Sequence, residues 1–545
     1  MLLFSRGSGC ELNIATDMAS YMKVLLMVPP YIDKKDYPGS RFDLKIEDLG
    51  LEYLSAYLKE NGYPDTEILH CQQDDVSCDM LQSIITLINP DVVGISISFE
   101  STDYLGGIEA AKIIKTCCPK VKIIVGGHAA TFLYEKLMND CEEIDCVILG
   151  EGEVSILDTI NKIKHNESLS NVKGIVYRDS DTLVMNEKRE LISELDSLPF
   201  PDRSLYIKHM PEFALVESSR GCWGKCRFCS VPAFFRHGKG KVWRSRSPEH
   251  IVEEIENIIA KWNIYKFDFV DDNFLGVGKQ GKEKIKRFCE LIKNKKLDIE
   301  FHIACRVESV NYEDLELLKA VGLKKVYVGI ESGSDVTLKR YGKNVTRAEN
   351  ERAIRILKEL DIDAKLCLII FDPWMTAIEL SETIDFLIQM DCYSLLHWTS
   401  VLNSYKPYLG TEMHKQLFNE YRLLDQGLHF SYEIIDEKTR EIKNICRYVS
   451  GGVKYLFEVL KNEPEYKEHF RQLDSKLSKP LLLYLQFLLK QEVADLKNNV
   501  HYINVFYRIL TIMAKKELGS DVFERIKQIK ALELSHTAKS DCDTF

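Results

Sequence analysis

Long apolar runs are missing from this chain of 545 residues. Nothing approaches the roughly 20 consecutive apolar residues that span a bilayer, and the longest strand-like runs, such as 121-VKIIV-125, are far shorter. A helical membrane span is thereby excluded. A surplus of positive charge is missing too: 72 Lys and Arg against 83 Asp and Glu leave a net charge of -11, which argues against the broad basic surface that nucleic acid or an anionic membrane selects. The opening MLLFSRGSGCELNIATDMASYMKVLL lacks the charged segment followed by an apolar segment that marks a secretory signal, so residues 1–22 are expected to be a flexible leader. Cysteine is too sparse for a disulfide scaffold: the sixteen residues lie mostly isolated within apolar strands and helices. Reduced thiols in the cytoplasm follow, and that compartment permits an iron–sulfur cluster. Two phosphate-binding signatures are also lacking. No G-x-G-x-x-G follows the first strand, whose turn reads Val28-Pro29-Pro30, and no G-x4-G-K-[ST] occurs anywhere.

What is present is an α/β pattern in two series, on a chain too long for one core. Between Lys23 and about Lys164, short Val- and Ile-rich runs (23-KVLLMVPP-30, 66-TEILH-70, 91-DVVGISIS-98, 121-VKIIVGG-127, 145-DCVILG-150) alternate with amphipathic helical stretches. This predicts a doubly wound (Rossmann-like) parallel sheet over 23–165. A connector, 166–210, holds a hairpin at 173–188 and the proline-rich 195-LDSLPFPDRSLY-206. A second series, 211–404, has six strand-like runs ending at 396-LHWTSVL-402 and predicts a partial, open (β/α)6 barrel, with chemistry at the carboxyl ends of its strands. One intervening helix is announced by Ser247-Pro248 with acids in its first turn. Residues 405–545 read as a mainly helical C-terminal region expected to close the barrel mouth, including 406-KPYLGTEM-413.

The sharpest local signal is 217-ESSRGCWGKCRFCSVP-232, where Cys222, Cys226 and Cys229 follow a predicted strand within one glycine-containing loop. Three thiolates so spaced reach three corners of a cubane and leave the fourth iron open for an exogenous chelator. The alternatives are three core cysteines, or a zinc knuckle whose only nearby fourth ligand is His237. Phe228, before the third cysteine, would shield a cluster or simply pack in the core.

This motif, with an aromatic residue before its last cysteine and a strand in front, resembles that of the radical S-adenosylmethionine superfamily. The resemblance implies a [4Fe–4S] cluster on the three cysteines, S-adenosylmethionine chelating the open iron, and reductive cleavage to a 5′-deoxyadenosyl radical. It also implies roles at successive strand ends. Asp271 or Asp272 of 270-VDDNF-274 would meet the methionyl amine, Arg306 the methionyl carboxylate, and Glu331 and Ser332 of 329-GIESGS-334 the ribose. Taken singly, each of these has an ordinary alternative as a solvated or helix-capping charge. At 368-LIIFDPWMT-376 the chain departs from the family's glycine-and-proline turn, so Asp372 and Trp374 are read as shaping a substrate pocket.

In front, 48-DLGLEYLSAYLKENGY-63, 126-GGHAAT-131 and 149-LGEGE-153 are similar to the cobalamin-binding domain fused to one class of these enzymes. Ser96, Gly126 and Gly127 would then lie at adjacent strand ends and admit the nucleotide tail of cobalamin; the alternative for the glycines is a tight turn without a ligand. The D-x-H-x-x-G histidine motif of many such domains is missing, since the second strand is followed by 69-LHCQQDD-75. His70 reads as an ordinary strand-end histidine, and the resemblance implies a cobalt without a histidine ligand. The implied reaction is methyl transfer to an unactivated carbon of a small-molecule or peptide substrate, with an external electron donor such as flavodoxin or ferredoxin. Rival readings are a cyclase or rearrangement enzyme of the same architecture, and a non-catalytic cobalamin- or metal-binding sensor.

Overall fold

The computed structural model describes residues 22–32, 47–97, 101–205, 211–420, 422–426, 429–461, 467–497 and 499–517. The expected leader therefore lies, except for Met22, outside the described residues.

Strands β1 (Val24–Val28), β2 (Thr66–His70), β3 (Val92–Ser96), β4 (Lys122–Gly126) and β5 (Cys146–Ile148) are parallel neighbours in the order β2-β1-β3-β4-β5. All five residues of β1 are buried, as a strand covered on both faces by helices must be. The strand order reverses between β1 and β3, so a crevice opens at the carboxyl ends there. The connector hairpin, β6 (Ile175–Asp179) and β7 (Thr182–Met185), joins this sheet rather than standing apart. Strand β6 pairs antiparallel with β5 in the register Ile148↔Ile175, and so covers an edge whose backbone groups would otherwise lack partners.

The rest of the connector is fixed by charge. Arg203 is fully buried and bonds Glu47 at 2.5 Å, Glu254 at 2.5 Å and the Leu215 carbonyl at 2.9 Å, and Glu254 also holds Arg246. These partners come from the entry to the first helix (Leu49–Glu60), the second sheet and the helix Pro248–Trp262, so one guanidinium ties both halves of the chain together. Breaking such a buried pair by removing one partner costs about 3–5 kcal/mol.

The second sheet is formed by β8 (Ala214–Val216), β11 (Lys266–Phe269), β12 (Glu300–Arg306), β13 (Leu323–Glu331) and β14 (Asp363–Leu368), all parallel, in the order β14-β13-β12-β11-β8. A two-residue antiparallel ladder, β9 (Ser219–Arg220) and β10 (Arg244–Ser245), lies beside it. One face packs on the helices through residues such as Phe267, Ile303, Val328 and Leu366. The other is open: Val270 is 46% exposed and Cys367 is exposed although β14 is paired along its length.

No sixth strand is paired across 396–402. That stretch forms the short helix Trp398–Val401, capped by the His397 side chain, and contacts the sheet edge later, through Ile370 N to Asn403 O at 3.0 Å and a single parallel bridge Phe371↔Ser404. Helix formation buries Trp398 and Val401 against the core shared with the C-terminal helices, which alternation along a strand would not do. The barrel is thus a five-stranded open sheet. The helices Glu437–Lys461, Lys467–Leu489 and Asn499–Glu517 pack on its flank, where Ser478 Oγ donates to Leu396 O at 2.9 Å. The mouth is approached instead by the hairpin β15 (Leu423–Gln426) and β16 (His429–Tyr432), whose Tyr432 hydroxyl donates to Phe371 O at 3.1 Å, and by the helix Glu412–Asn419.

Candidate functional site

The cysteine loop is closed at its base by the β9–β10 ladder and turned by Gly221, at φ 77°, where a Cβ would collide with the Val242 carbonyl. Cys222 and Cys226 are buried and Cys229 half-buried, immediately before the helix Ser230–Phe235. The Cys222 sulfur accepts from the Gly224 amide at 3.4 Å, and the Cys226 sulfur accepts from Arg306 Nη1 at 3.2 Å. Burial raises the Cys222 thiol and pushes Cys229 up to about 12, so protein alone favours protonated thiols and iron must displace those protons. Three thiols on one loop, with a guanidinium and an amide already directed at sulfur, fit a cluster that takes one thiolate per iron. His237 does not join them: its ring packs edge-on against Phe132 of the first domain at 5.3 Å. Among the described residues no three His, Cys, Asp or Glu side chains gather around a single-ion position. Phe228 packs edge-on against Tyr341 at 5.4 Å.

The strand ends of the second sheet surround this loop. Asp271 is buried and already engaged, accepting from the Ser218 amide at 3.0 Å, from the Ser218 hydroxyl at 2.6 Å and from the Ser219 hydroxyl, with Lys284 on Ser218 Oγ at 2.7 Å. Asp272 faces the open side instead. Restricted solvation, with Asp271 and Glu217 nearby, raises it to about 7, while the Gly221 amide opposes the shift. A carboxyl so placed gains when a cation arrives. Arg306 ends β12 with its guanidinium stacked over Trp223 at 4.7 Å and held by Glu308 at 2.6 Å. Gly224 makes that approach possible, since a Cβ there would overlap Nη1.

Glu331 ends β13 at a bulge, at φ 63°, a strained region for a non-glycine residue, and pairs with buried Lys343 at 2.9 Å. Ser332 is fully buried and spent on Thr383 at 2.8 Å and the Ser334 amide at 3.1 Å. Asp372 does not line a pocket. It is fully buried and bonds Arg340 at 3.1 Å, Tyr341 at 2.8 Å and the Trp374 amide at 2.7 Å, while Trp374 turns its indole N–H to Glu420. The FDP turn is a buried polar anchor because both of its carboxylate oxygens find donors within the core.

A cavity of about 460 Å3 lies at the carboxyl edge of the first sheet. One wall carries Ser96, Gly126, Gly127 and His128; the other carries Glu217, Arg220, Phe234 and Phe235, which bracket the cysteine loop in sequence. At Gly126 a Cβ would meet nothing nearer than Ile148 Cβ at 4.0 Å, so that position borders open space. At Gly127, φ 102° and the Ile97 carbonyl 2.5 Å from a Cβ demand glycine for the backbone itself. Small residues at strand ends and a cavity reaching the other domain fit the narrow tail of a corrinoid. His128 stacks on Phe234 at 3.9 Å, and burial lowers it to about 4, leaving it neutral. His70 is hydrogen-bonded to Gln73 at 3.2 Å. Sequence reasoning overlooked Arg203, Arg220 and Trp223, whose partners Glu47, Glu153 and Arg306 lie far along the chain, and Lys343, which reaches back twelve residues to Glu331. The one local signal was Glu217, three residues before Arg220 and paired with it.

Comparison with known proteins follows these two halves. The Radical SAM superfamily profile matches residues 216–387 and the B12 binding domain profile residues 39–158. An uncharacterized methyltransferase of Pyrococcus horikoshii is 30% identical over 376 residues, covering 68% of this chain and 78% of that protein. The anaerobic magnesium-protoporphyrin IX monomethyl ester cyclase of Rubrivivax gelatinosus is 28% identical, covering 61% of this chain and 60% of that protein. Among solved structures, the cobalamin-dependent S-adenosylmethionine radical enzyme OxsB, with aqua-cobalamin and S-adenosylmethionine bound, has the same fold with a TM-score of 0.74 at 19% identity, over 96% of this chain and 81% of that one. With a thiol loop suited to a cluster and a corrinoid-domain cavity meeting at one interface, this chain belongs to the cobalamin-dependent radical S-adenosylmethionine enzymes.

Proposed function

We propose that the chain is a C-methyltransferase acting on an unactivated carbon of a small-molecule or peptide substrate. The observation that carries this reading is the shared cavity: its walls are the Ser96, Gly126 and Gly127 strand ends and the segments that bracket the cysteine loop. When bound, the cluster with S-adenosylmethionine supplies a carbon-centred radical, and the corrinoid supplies a methyl group. The chain's own residues bind, orient and shield. Cys222, Cys226 and Cys229 hold the cluster. Asp272, rather than the spent Asp271, receives the methionyl ammonium. Arg306 receives the carboxylate, and Glu331, held by Lys343, contacts the ribose, with Ser332 supporting the turn from beneath. Ser96, Gly126 and Gly127 receive the corrinoid tail, and burial around the loop excludes water from radicals. The helix Glu412–Asn419 supports closure of the mouth, since Glu412 and Gln416 both bind Arg227 of the cysteine loop at 3.1 Å. An external reductant such as flavodoxin or ferredoxin delivers the electron, and the reducing cytoplasm suits the cluster.

Similarity to a cyclase at 28% identity favours one second reading, cyclisation or rearrangement on the same scaffold. Anaerobic reconstitution with substrate candidates separates the two. Methylation yields S-adenosylhomocysteine and 5′-deoxyadenosine together with a methylated product; 5′-deoxyadenosine with an unmethylated, rearranged product and no S-adenosylhomocysteine would overturn it.

A further inference from the structure

Arg220 lies two residues before Cys222, yet its side chain belongs electrostatically to the other domain. Its Nη2 bonds Glu153 at 2.7 Å, its Nη1 bonds Glu151 at 3.3 Å and its Nε bonds Glu217 at 2.8 Å, while the guanidinium lies over the Tyr53 ring at 5.3 Å. Glu151 and Glu153 follow β5 in the first domain, and Tyr53 lies on its first helix. Arg244, the ladder partner of Arg220, chelates both oxygens of Glu151 at 2.8 and 2.9 Å. Arg220, Glu151 and Glu153 all line the shared cavity, and the Arg220 side chain is only 8% exposed.

This is a different arrangement from the Arg203 rivet, whose partners do not line that cavity. A ligand seated against the 150–153 loop acts on the carboxylates that hold Arg220. Arg220 in turn is joined to Cys222 through Gly221 alone, at a turn of φ 77° packed so closely on the Val242 carbonyl that no Cβ would fit. The charge-assisted fork is rigid and directional, so displacement on the carboxylate side is passed on instead of being absorbed by side-chain rotation.

We propose that Arg220 is a positioning residue that couples corrinoid occupancy to the geometry of the cluster loop, so that corrinoid and S-adenosylmethionine strengthen each other's binding through it. The proposal rests on the cofactor assignment above but not on methyl transfer as the outcome. Linkage makes the coupling reciprocal, and couplings of this kind amount to about 5–150-fold in affinity.

The test is equilibrium dialysis of S-adenosylmethionine against the cluster-loaded full chain, with and without saturating hydroxocobalamin. The wild-type affinity is expected to rise at least about fivefold with corrinoid. In Arg220→Gln, at unchanged iron content, the ratio falls to within about twofold of one; in Arg220→Lys it stays low, because a point charge cannot reproduce the fork. A merely structural role would weaken both measurements in parallel and leave the ratio alone. If Arg220→Gln fails to load iron, Glu153→Gln removes one acceptor while keeping Glu151 and Glu217, and is expected to shift the ratio in the same direction. A wild-type ratio of one, or a wild-type ratio preserved in the loaded variant, overturns the proposal. Loss of methylated product with the ratio intact would overturn the functional reading instead.

Discussion

The two adjacent aspartates at the end of β11 make opposite predictions. Asp271 accepts two hydroxyls and an amide within the core, at 2.6 Å from Ser218 Oγ and 3.0 Å from Ser218 N, and balances the buried amine of Lys284. Hydrogen bonds to a charged group contribute about 1.5–3 kcal/mol each, and the hydroxyls can find other acceptors. A net loss of about 3 kcal/mol is therefore expected for Asp271→Asn. At roughly 2–4 °C per kcal/mol for a domain of this size, its melting midpoint falls by about 6–12 °C. Asp272 makes no such set of core contacts, so Asp272→Asn should melt within about 1 °C of wild type. It should instead weaken S-adenosylmethionine about 10–100-fold, the loss of one charge-assisted bond of about 1.5–3 kcal/mol. Both are measured on cluster-loaded protein, by thermal unfolding at one fixed scan rate and by equilibrium dialysis. A stable Asp271→Asn that no longer binds, beside a destabilised Asp272→Asn that binds normally, would refute the assignment of roles.

Alanine at Cys222, Cys226 or Cys229 should abolish the cluster absorbance and 5′-deoxyadenosine formation, whereas alanine at Cys392, buried in the core beside Leu387, should leave both in place. Gly126→Ala, where a Cβ borders open space, is expected to fold normally yet bind hydroxocobalamin more weakly; Gly127→Ala, at φ 102° and 2.5 Å from the Ile97 carbonyl, should lose about 1–3 kcal/mol of stability first. Glu52 is fully buried and receives the Leu205 amide on one oxygen only, and burial with Glu47 nearby raises it to about 9. A raised carboxyl favours the folded state below its ordinary value of 4.5 and forfeits that benefit as pH climbs through about 9. Wild-type stability should therefore fall by at most about 1.4 kcal/mol per pH unit between pH 6 and 8 relative to Glu52→Gln, read as a widening gap between their melting midpoints. A constant gap would show that Glu52 is ionised in the folded protein.

Several features were decided within a few residues of sequence and needed no tertiary information. The C-x3-C-x2-C spacing places three thiols on one loop by backbone reach alone, and Ser247 before Pro248 starts its helix as the local rules require. The order of strand-end residues, from cysteine loop to acid pair to arginine to GIESGS, already implied that a parallel sheet would gather them. Other features depended on partners up to 156 positions away. Asp271 and Asp272 are chemically identical side by side; which one is spent was decided by Ser218 and Lys284. Asp372 was absorbed by Arg340 and Tyr341, Arg203 found Glu47, and Arg220 found Glu151. The predicted sixth strand yielded to a helix because Trp398 and Val401 had a core to enter. Sequence by itself determined which chemical groups stand at the strand ends, since spacing along a backbone is a short-range property. Tertiary structure alone decided which of those groups stay available, because burial and charge pairing are settled between segments that meet only in the folded chain.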